Sequence, residues 1–214
     1  MHEAIILSSI LVALLVGAMS PGPSFVLVSR LALAGTRRDG VSAAIGMGLG
    51  GALFAVLALL GLVSVLSQFP WIFTGLKVLG GLYLLYLGVS IWRSASNQLH
   101  PPTKDTACLK TTAARSMQLA FTTQVANPKT VVVYASIFAS LLPQNPSWWL
   151  IFAIPPAVFV VEAGWYATIA TVLATEKPQS YYLKSKSVID RLAGIIMGSL
   201  GLRLVVSAAR GTTE

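Results

Sequence analysis

The chain reads as an all-α integral membrane protein. About six transmembrane helices are expected, arranged as two inverted three-helix repeats, with the first and fourth broken at Pro-Gly-Pro and Asn-Pro-Lys. Three observations predict this. Of 214 residues, 55% are apolar and only 10% are charged, where a soluble domain carries about a quarter. Basic residues crowd alternate connections between the apolar runs. Two helix breaks recur at matching places in the two halves.

The first apolar run covers residues 4–33 and contains "AMSPGPSFVLV". Pro21 and Pro23 lack an amide hydrogen and crowd the preceding helical turn, so a break is expected there. Ala18-Met19-Ser20 imitates a signal-peptidase site, but His2 and Glu3 stand where basic residues belong. The segment is therefore expected to remain as the first span. The second and third runs cover residues 41–66 and 70–92. The fourth covers 114–142 and contains "VANPKTVVVY". Asn127 is a favoured N-cap and Pro128 suits the first helical position, so a helix is expected to open there. From Asn127 to Leu142 it would span only about 24 Å, short of the roughly 30 Å hydrocarbon core. It would then begin inside the membrane. The fifth and sixth runs cover residues 148–175 and 188–208.

Net charge is +8, and its distribution gives the topology. Arg37 and Arg38 occupy the first connection, Arg93, Lys104, Lys110 and Arg115 the third, and Lys177, Lys184, Lys186 and Arg191 the fifth; the second and fourth hold no Lys or Arg. By the positive-inside rule the odd connections face the cytoplasm and both termini face out. The basic excess is thus a topology signal, not a nucleic-acid footprint. Trp71, Trp92, Trp148 and Trp149 read as interfacial anchors. The whole of 1–214 reads as one transmembrane domain, with halves at 1–100 and 101–214. Three spans per half force the halves into opposite orientations. Paired breaks at corresponding positions then point to a binding site.

Glu162, in "FVVEAGWYA", lies mid-span. A carboxylate there costs about 2.5–3.5 kcal/mol on insertion scales, so it is expected to face protein or water. It suits a substrate ammonium or a proton; the alternative is a structural ion pair. Lys129 in the first turn of a helix opposes the helix dipole, so a nearby anion is expected, either Glu162 or a substrate carboxylate. The alternative is a lysine reaching to the surface. Trp165 and Tyr166 follow Glu162 at helical spacing and share its face, as lining or as ordinary packing. Asp190 and Arg191 read as an interfacial pair. Gly46/Gly50 and Gly194/Gly198 have the spacing that lets helices approach closely, which also permits a homodimer. The formal G-x-G-x-x-G at Gly46–Gly51 follows no strand and is not a nucleotide site. His2 and His100 lie outside the spans and Cys108 is the lone cysteine. No metal, cofactor, disulfide or enzymatic role is therefore expected.

The stretches "MSPGPSFVLVSRLALAGTRRDG", "LGGLYLLYLGVSIWRSA" and "VANPKTVVVYASIFASL" resemble the LysE/RhtB-type amino-acid exporters of bacteria, nearest the homoserine/threonine-resistance branch. The resemblance implies a secondary transporter of the bacterial inner membrane. It would export small amino acids such as threonine or homoserine by proton antiport, with a passive channel for small solutes as the alternative. The family motifs fall on Pro21, Gly22, Pro23, Asn127, Pro128 and Lys129, and Glu162 matches the carboxylate of the nearest branch. Ser24 stands where Asn or Asp is common, and Gly51 where many members carry Asp. The expected substrate site joins these motif residues to Ser24, Thr130, Glu162 and Trp165, with Glu162 also carrying the proton. Amides near Ser24 and Thr130, with Lys129, would receive a substrate carboxylate.

Overall fold

The computed structural model describes residues 2–19, 22–34, 36–68, 70–96, 112–143, 145–173 and 176–211. Pro21, His100, Lys104, Cys108 and Lys110 lie outside them, as do the side chains of Trp71 and Lys77. Among the described residues the protein is all-helical, with eight helices: α1 (His2–Met19), α2 (Pro23–Ala34), α3 (Arg37–Gln68), α4 (Pro70–Ser94), α5 (Ala113–Val125), α6 (Pro128–Leu141), α7 (Trp148–Leu173) and α8 (Glu176–Gly211).

Each start that can be read has a local chemical cause. Thr36 and Asp39 form a reciprocal capping box at α3. The Asp39 amide donates to Thr36 Oγ1 (3.2 Å), while the Thr36 amide and hydroxyl donate to Asp39 Oδ2 (2.9 and 2.7 Å). Thr112 caps α5 through the Arg115 amide (3.3 Å). Ser147 caps α7 through the Leu150 amide (3.2 Å). Pro178 falls in the first turn of α8, where its missing donor has no partner to lose.

Among the described residues, three segments are long and apolar enough to cross a membrane by themselves: Arg37–Gly61, Trp148–Val172 and Ser187–Ala209. Helices α1 and α2 qualify only as a pair, with axes inclined by 67°. Val78–Arg93 and Pro128–Leu141 are shorter apolar helices. The sixth apolar run, read at 188–208, coincides with the segment Ser187–Ala209, and α8 itself begins earlier, at Glu176. Lys and Arg are good helix formers, so the helix runs on through residues read as a connection.

The distribution of polarity is inverted relative to a soluble domain. Ser24, Gln124, Asn127, Glu162 and Asp190 are buried, whereas Leu60, Leu79, Phe152, Val160 and Val188 are exposed. An apolar solvent around the helices imposes this arrangement, because only the interior offers polar groups a partner. Trp148, Trp149 and Trp92 stand exposed at helix ends, where amphipathic rings anchor depth.

Helix α4 packs most extensively on α8, and α3 lies against α7 and α5. Glycine makes these approaches. A methyl at Gly88 would stand 2.7 Å from the Gly194 carbonyl oxygen, and one at Gly201 2.6 Å from that of Gly81. A methyl at Gly46 would collide with the Met117 carbonyl. The core centres on Ile137, Phe138, Ile154 and Met197, all fully buried. There Phe138 stacks on Tyr134, with ring centroids 6.1 Å apart.

Gly88→Ala is accordingly expected to destabilise the purified protein by about 1–3 kcal/mol, the usual cost of overpacking. Gly164→Ala, whose methyl meets nothing within 4 Å, is expected to be neutral or to stabilise by up to about 1 kcal/mol through helix propensity. Thermal melts in detergent compare the two.

Candidate functional site

Helices α1 and α6 meet where each is least complete. The last four carbonyls of a helix have no intrahelical partner. Two of those at the end of α1 are met by side chains from elsewhere: Lys129 Nζ donates to the Gly17 carbonyl (3.3 Å) and Trp165 Nε1 to that of Ala18 (3.3 Å). Lys129 therefore opposes the dipole of its own helix but complements the negative end of α1. Asp190 of α8 acts on it electrostatically.

At the start of α6, Asn127 Oδ1 accepts from the Lys129 amide (3.1 Å), and Pro128 occupies the first turn. The rest of the Asn127 side chain begins a buried polar chain. Asn127 Nδ2 donates to Ser24 Oγ (3.2 Å), and Ser24 Oγ donates to Gln124 Oε1 (2.7 Å). Gln124 Nε2 donates to Glu162 Oε2 (2.7 Å), and the Tyr134 hydroxyl donates to Glu162 Oε1 (2.7 Å). Four helices, α2, α5, α6 and α7, are joined by one run of bonds. Both carboxylate oxygens accept, which is the arrangement of the ionised side chain. Burial is near complete along it: Glu162 is 3% exposed, Gln124 2% and Tyr134 2%.

Helix α3 makes room for this carboxylate. A methyl at Gly51 would lie 2.6 Å from Glu162 Oε2 and 2.7 Å from the Tyr134 hydroxyl.

A cavity of about 380 Å³, counting its open part, borders the chain. Gly22, Ser24, Asn127, Lys129, Thr130 and Glu162 line it, so most of the sequence-predicted site residues come together. Pro23 and Pro128 open helices beside it and are themselves exposed. Trp165 serves α1 through its indole N–H, as above, and Pro21 lies outside the described residues.

Two readings need correction. The Lys129 and Thr130 amides are both taken up by Asn127, through its side chain and its carbonyl (3.1 and 3.0 Å). The cap that opens α6 thus consumes donors expected to face a substrate. Asp190 is buried instead of interfacial, at 1% exposed, whereas Arg191 is exposed and its guanidinium carbon lies 5.8 Å from the Trp92 ring centroid. Successive helical residues point about 100° apart, so neighbours in sequence face different surroundings.

Gln124 and Tyr134 were missed. Tyr134 carried a signal, since Asn127, Thr130 and Tyr134 recur at helical spacing and share a face. Gln124 was legible only as part of a polar lead-in.

The LysE type translocator family matches residues 15–208. The threonine efflux protein of Escherichia coli K12 is 29% identical over 198 residues, covering 90% of this chain and 94% of that protein. The threonine efflux protein of Salmonella typhi is 28% identical over 196 residues, covering 90% and 94%. An uncharacterized membrane protein of Haemophilus influenzae is 31% identical over 199 residues, covering 92% and 94%. No solved structure matches.

Asn127 has two separable tasks, capping α6 and bonding Ser24. Asn127→Ala is expected to lower stability by about 0.5–2 kcal/mol for the cap alone, and further for the stranded Ser24 contact. Asn127→Ser, which still caps, should recover the first part. Equal melting temperatures for the two variants would mean that the cap contributes nothing.

Proposed function

The chain belongs to the LysE type translocator family, and on that premise we propose that it exports small amino acids, threonine- or homoserine-like, from the bacterial cytoplasm in exchange for protons. The observation that carries this reading is one cavity lined by a cation, Lys129, and an anion, Glu162. A zwitterion needs both, because neither of its charges can be left in hydrocarbon. Lys129 receives the carboxylate, together with the start of α2 at Ser24. Glu162 receives the ammonium when ionised and releases it when protonated from outside. The relatives that carry a threonine efflux name support the substrate class.

In this reading α1 with α2 and α5 with α6 are the first and fourth of six spans, broken at the two proline motifs. Residues 1–100 and 101–214 are inverted repeats. A two-fold relating such repeats maps α3 onto α7 and α4 onto α8. These are also the two most extensive helix pairings among the described residues, which supports the arrangement. The exposed arginines Arg37 and Arg38 at the start of α3 support a cytoplasmic start for that helix, in an inner-membrane protein with both termini outside. Rocking of one repeat against the other then alternates access to the cavity.

Vesicles reconstituted with the purified protein and loaded with labelled threonine test this. The wild-type protein is expected to show saturable counterflow and faster efflux when the receiving side is acidic. Glu162→Gln is expected to lose that acceleration. Wild-type coupling in Glu162→Gln removes the carboxylate from the mechanism, and leak without counterflow makes the protein a channel.

A further inference from the structure

We infer that Gln124 is a positioning residue that reports the protonation state of Glu162 to Ser24, at the start of α2. The inference rests on the proton-exchange reading of Glu162 and adds how the exchanged proton acts on the cargo site.

The polarity of the buried chain is set from both ends, by the Lys129 amide and by the Glu162 carboxylate. The Lys129 amide can only donate, so Asn127 must turn Oδ1 toward it (3.1 Å), which leaves Nδ2 facing Ser24 Oγ (3.2 Å). Ser24 then spends its own hydrogen on Gln124 Oε1 (2.7 Å). Gln124 has only its Nε2 hydrogens left for Glu162 Oε2 (2.7 Å). One end is fixed by a backbone donor that cannot reverse and the other by an ionised carboxylate that can only accept, while Ser24 between them can donate to Gln124 or accept from it.

A proton taken from water onto Oε2 places two hydrogens against each other across that 2.7 Å contact. The planar amide resolves the conflict by turning over. Its Oε1 then accepts from Glu162, and its Nε2 faces Ser24. Asn127 still donates to the same hydroxyl, so Ser24 Oγ accepts twice and its hydrogen must leave the chain. The open direction is the cavity, which Ser24 lines. Return of the proton to water restores the first arrangement; in each direction one O–H bond breaks and one forms, between hydronium and the carboxyl group, and no other covalent bond changes. A change at α7 is thereby read at the helix start that faces the cargo.

The ionisable groups around Glu162 are few. Tyr134 and Lys129 face the cavity from α6 and Tyr166 from α7, while α3 offers Gly51 and α2 offers Ser24. From α8, Asp190 acts on Lys129. Tyr134 is the rival route. A proton on Oε1 could be met by rotation of the Tyr134 hydroxyl, and nothing would then pass to Ser24.

The test uses full-length protein in vesicles loaded with labelled threonine, with and without an acidic receiving side. The readout is the ratio of the two efflux rates, which is independent of absolute activity. Gln124→Leu and Ser24→Ala, which cut adjacent links, are both expected to lose the acceleration. Infrared difference spectra between acidic and alkaline pH give the second readout, through the carboxyl band that Glu162→Gln removes. That band is expected to move in Gln124→Leu and to stay in place in Ser24→Ala. Acceleration retained in Gln124→Leu, or lost in Tyr134→Phe alone, overturns the inference. If Gln124→Leu fails to fold, acceleration retained in Ser24→Ala overturns it. Absence of acceleration in the wild-type protein is a different failure, that of the proton-exchange reading itself.

Discussion

Backbone amides and carbonyls need partners, and lipid supplies none. Wherever a helix stops short of water, its terminal groups must be answered by something else. In this chain the answer at α1 comes from α6 and α7, through the Lys129 ammonium and the Trp165 indole on two carbonyls of its last turn. At α6 it comes from Asn127. Helix ends that would otherwise be unstable are thus cross-wired to other helices. The cavity lies at that junction because incomplete helices, and the polar side chains that complete them, occur nowhere else among the described residues in such density.

The same constraint explains why the chain from Asn127 to Glu162 is continuous. A buried polar group left without a partner costs about 1–3 kcal/mol. Every polar side chain brought in to satisfy one group therefore needs satisfying in turn. Asn127 requires Ser24, Ser24 requires Gln124, and the run terminates at a carboxylate whose two oxygens both accept. Around it the packing is of the opposite kind. The α4–α8 seam brings backbones together at Gly81, Gly88, Gly194 and Gly201. One region is specified by hydrogen bonds and the other by the absence of side chains.

Much of this was legible in the amino-acid sequence, and the boundary of legibility is physical. Apolar runs, proline breaks and an Asn-Pro helix start are local signals, and the helices follow them closely. Close approach at Gly46, Gly50 and Gly194 was legible for the same reason, as spacing along one helix, whereas their partners across the seam, such as Gly88 for Gly194, were not. Partnerships between distant residues were not. Lys129 was read against the dipole of its own helix, while the charges it actually complements belong to α1 and α8. Asp190 was paired with its neighbour Arg191, although one turns inward and the other outward. Gln124 has no motif around it; only the fold brings it within 2.7 Å of both Ser24 and Glu162. The apolar run at 188–208 was legible, but not the earlier start of α8 at Glu176, because hydropathy marks where lipid ends and a helix need not end there.

Gly51 carries a consequence for how such proteins diverge. Its missing side chain and the Glu162 carboxylate claim the same volume. A side chain at 51 therefore needs the Glu162 carboxylate and the Tyr134 hydroxyl to turn aside, and both are the movable ends of long side chains, so bulk at 51 would come with a re-aimed acid at 162. Position 51 on α3 thereby bears on the orientation of a carboxylate carried by α7.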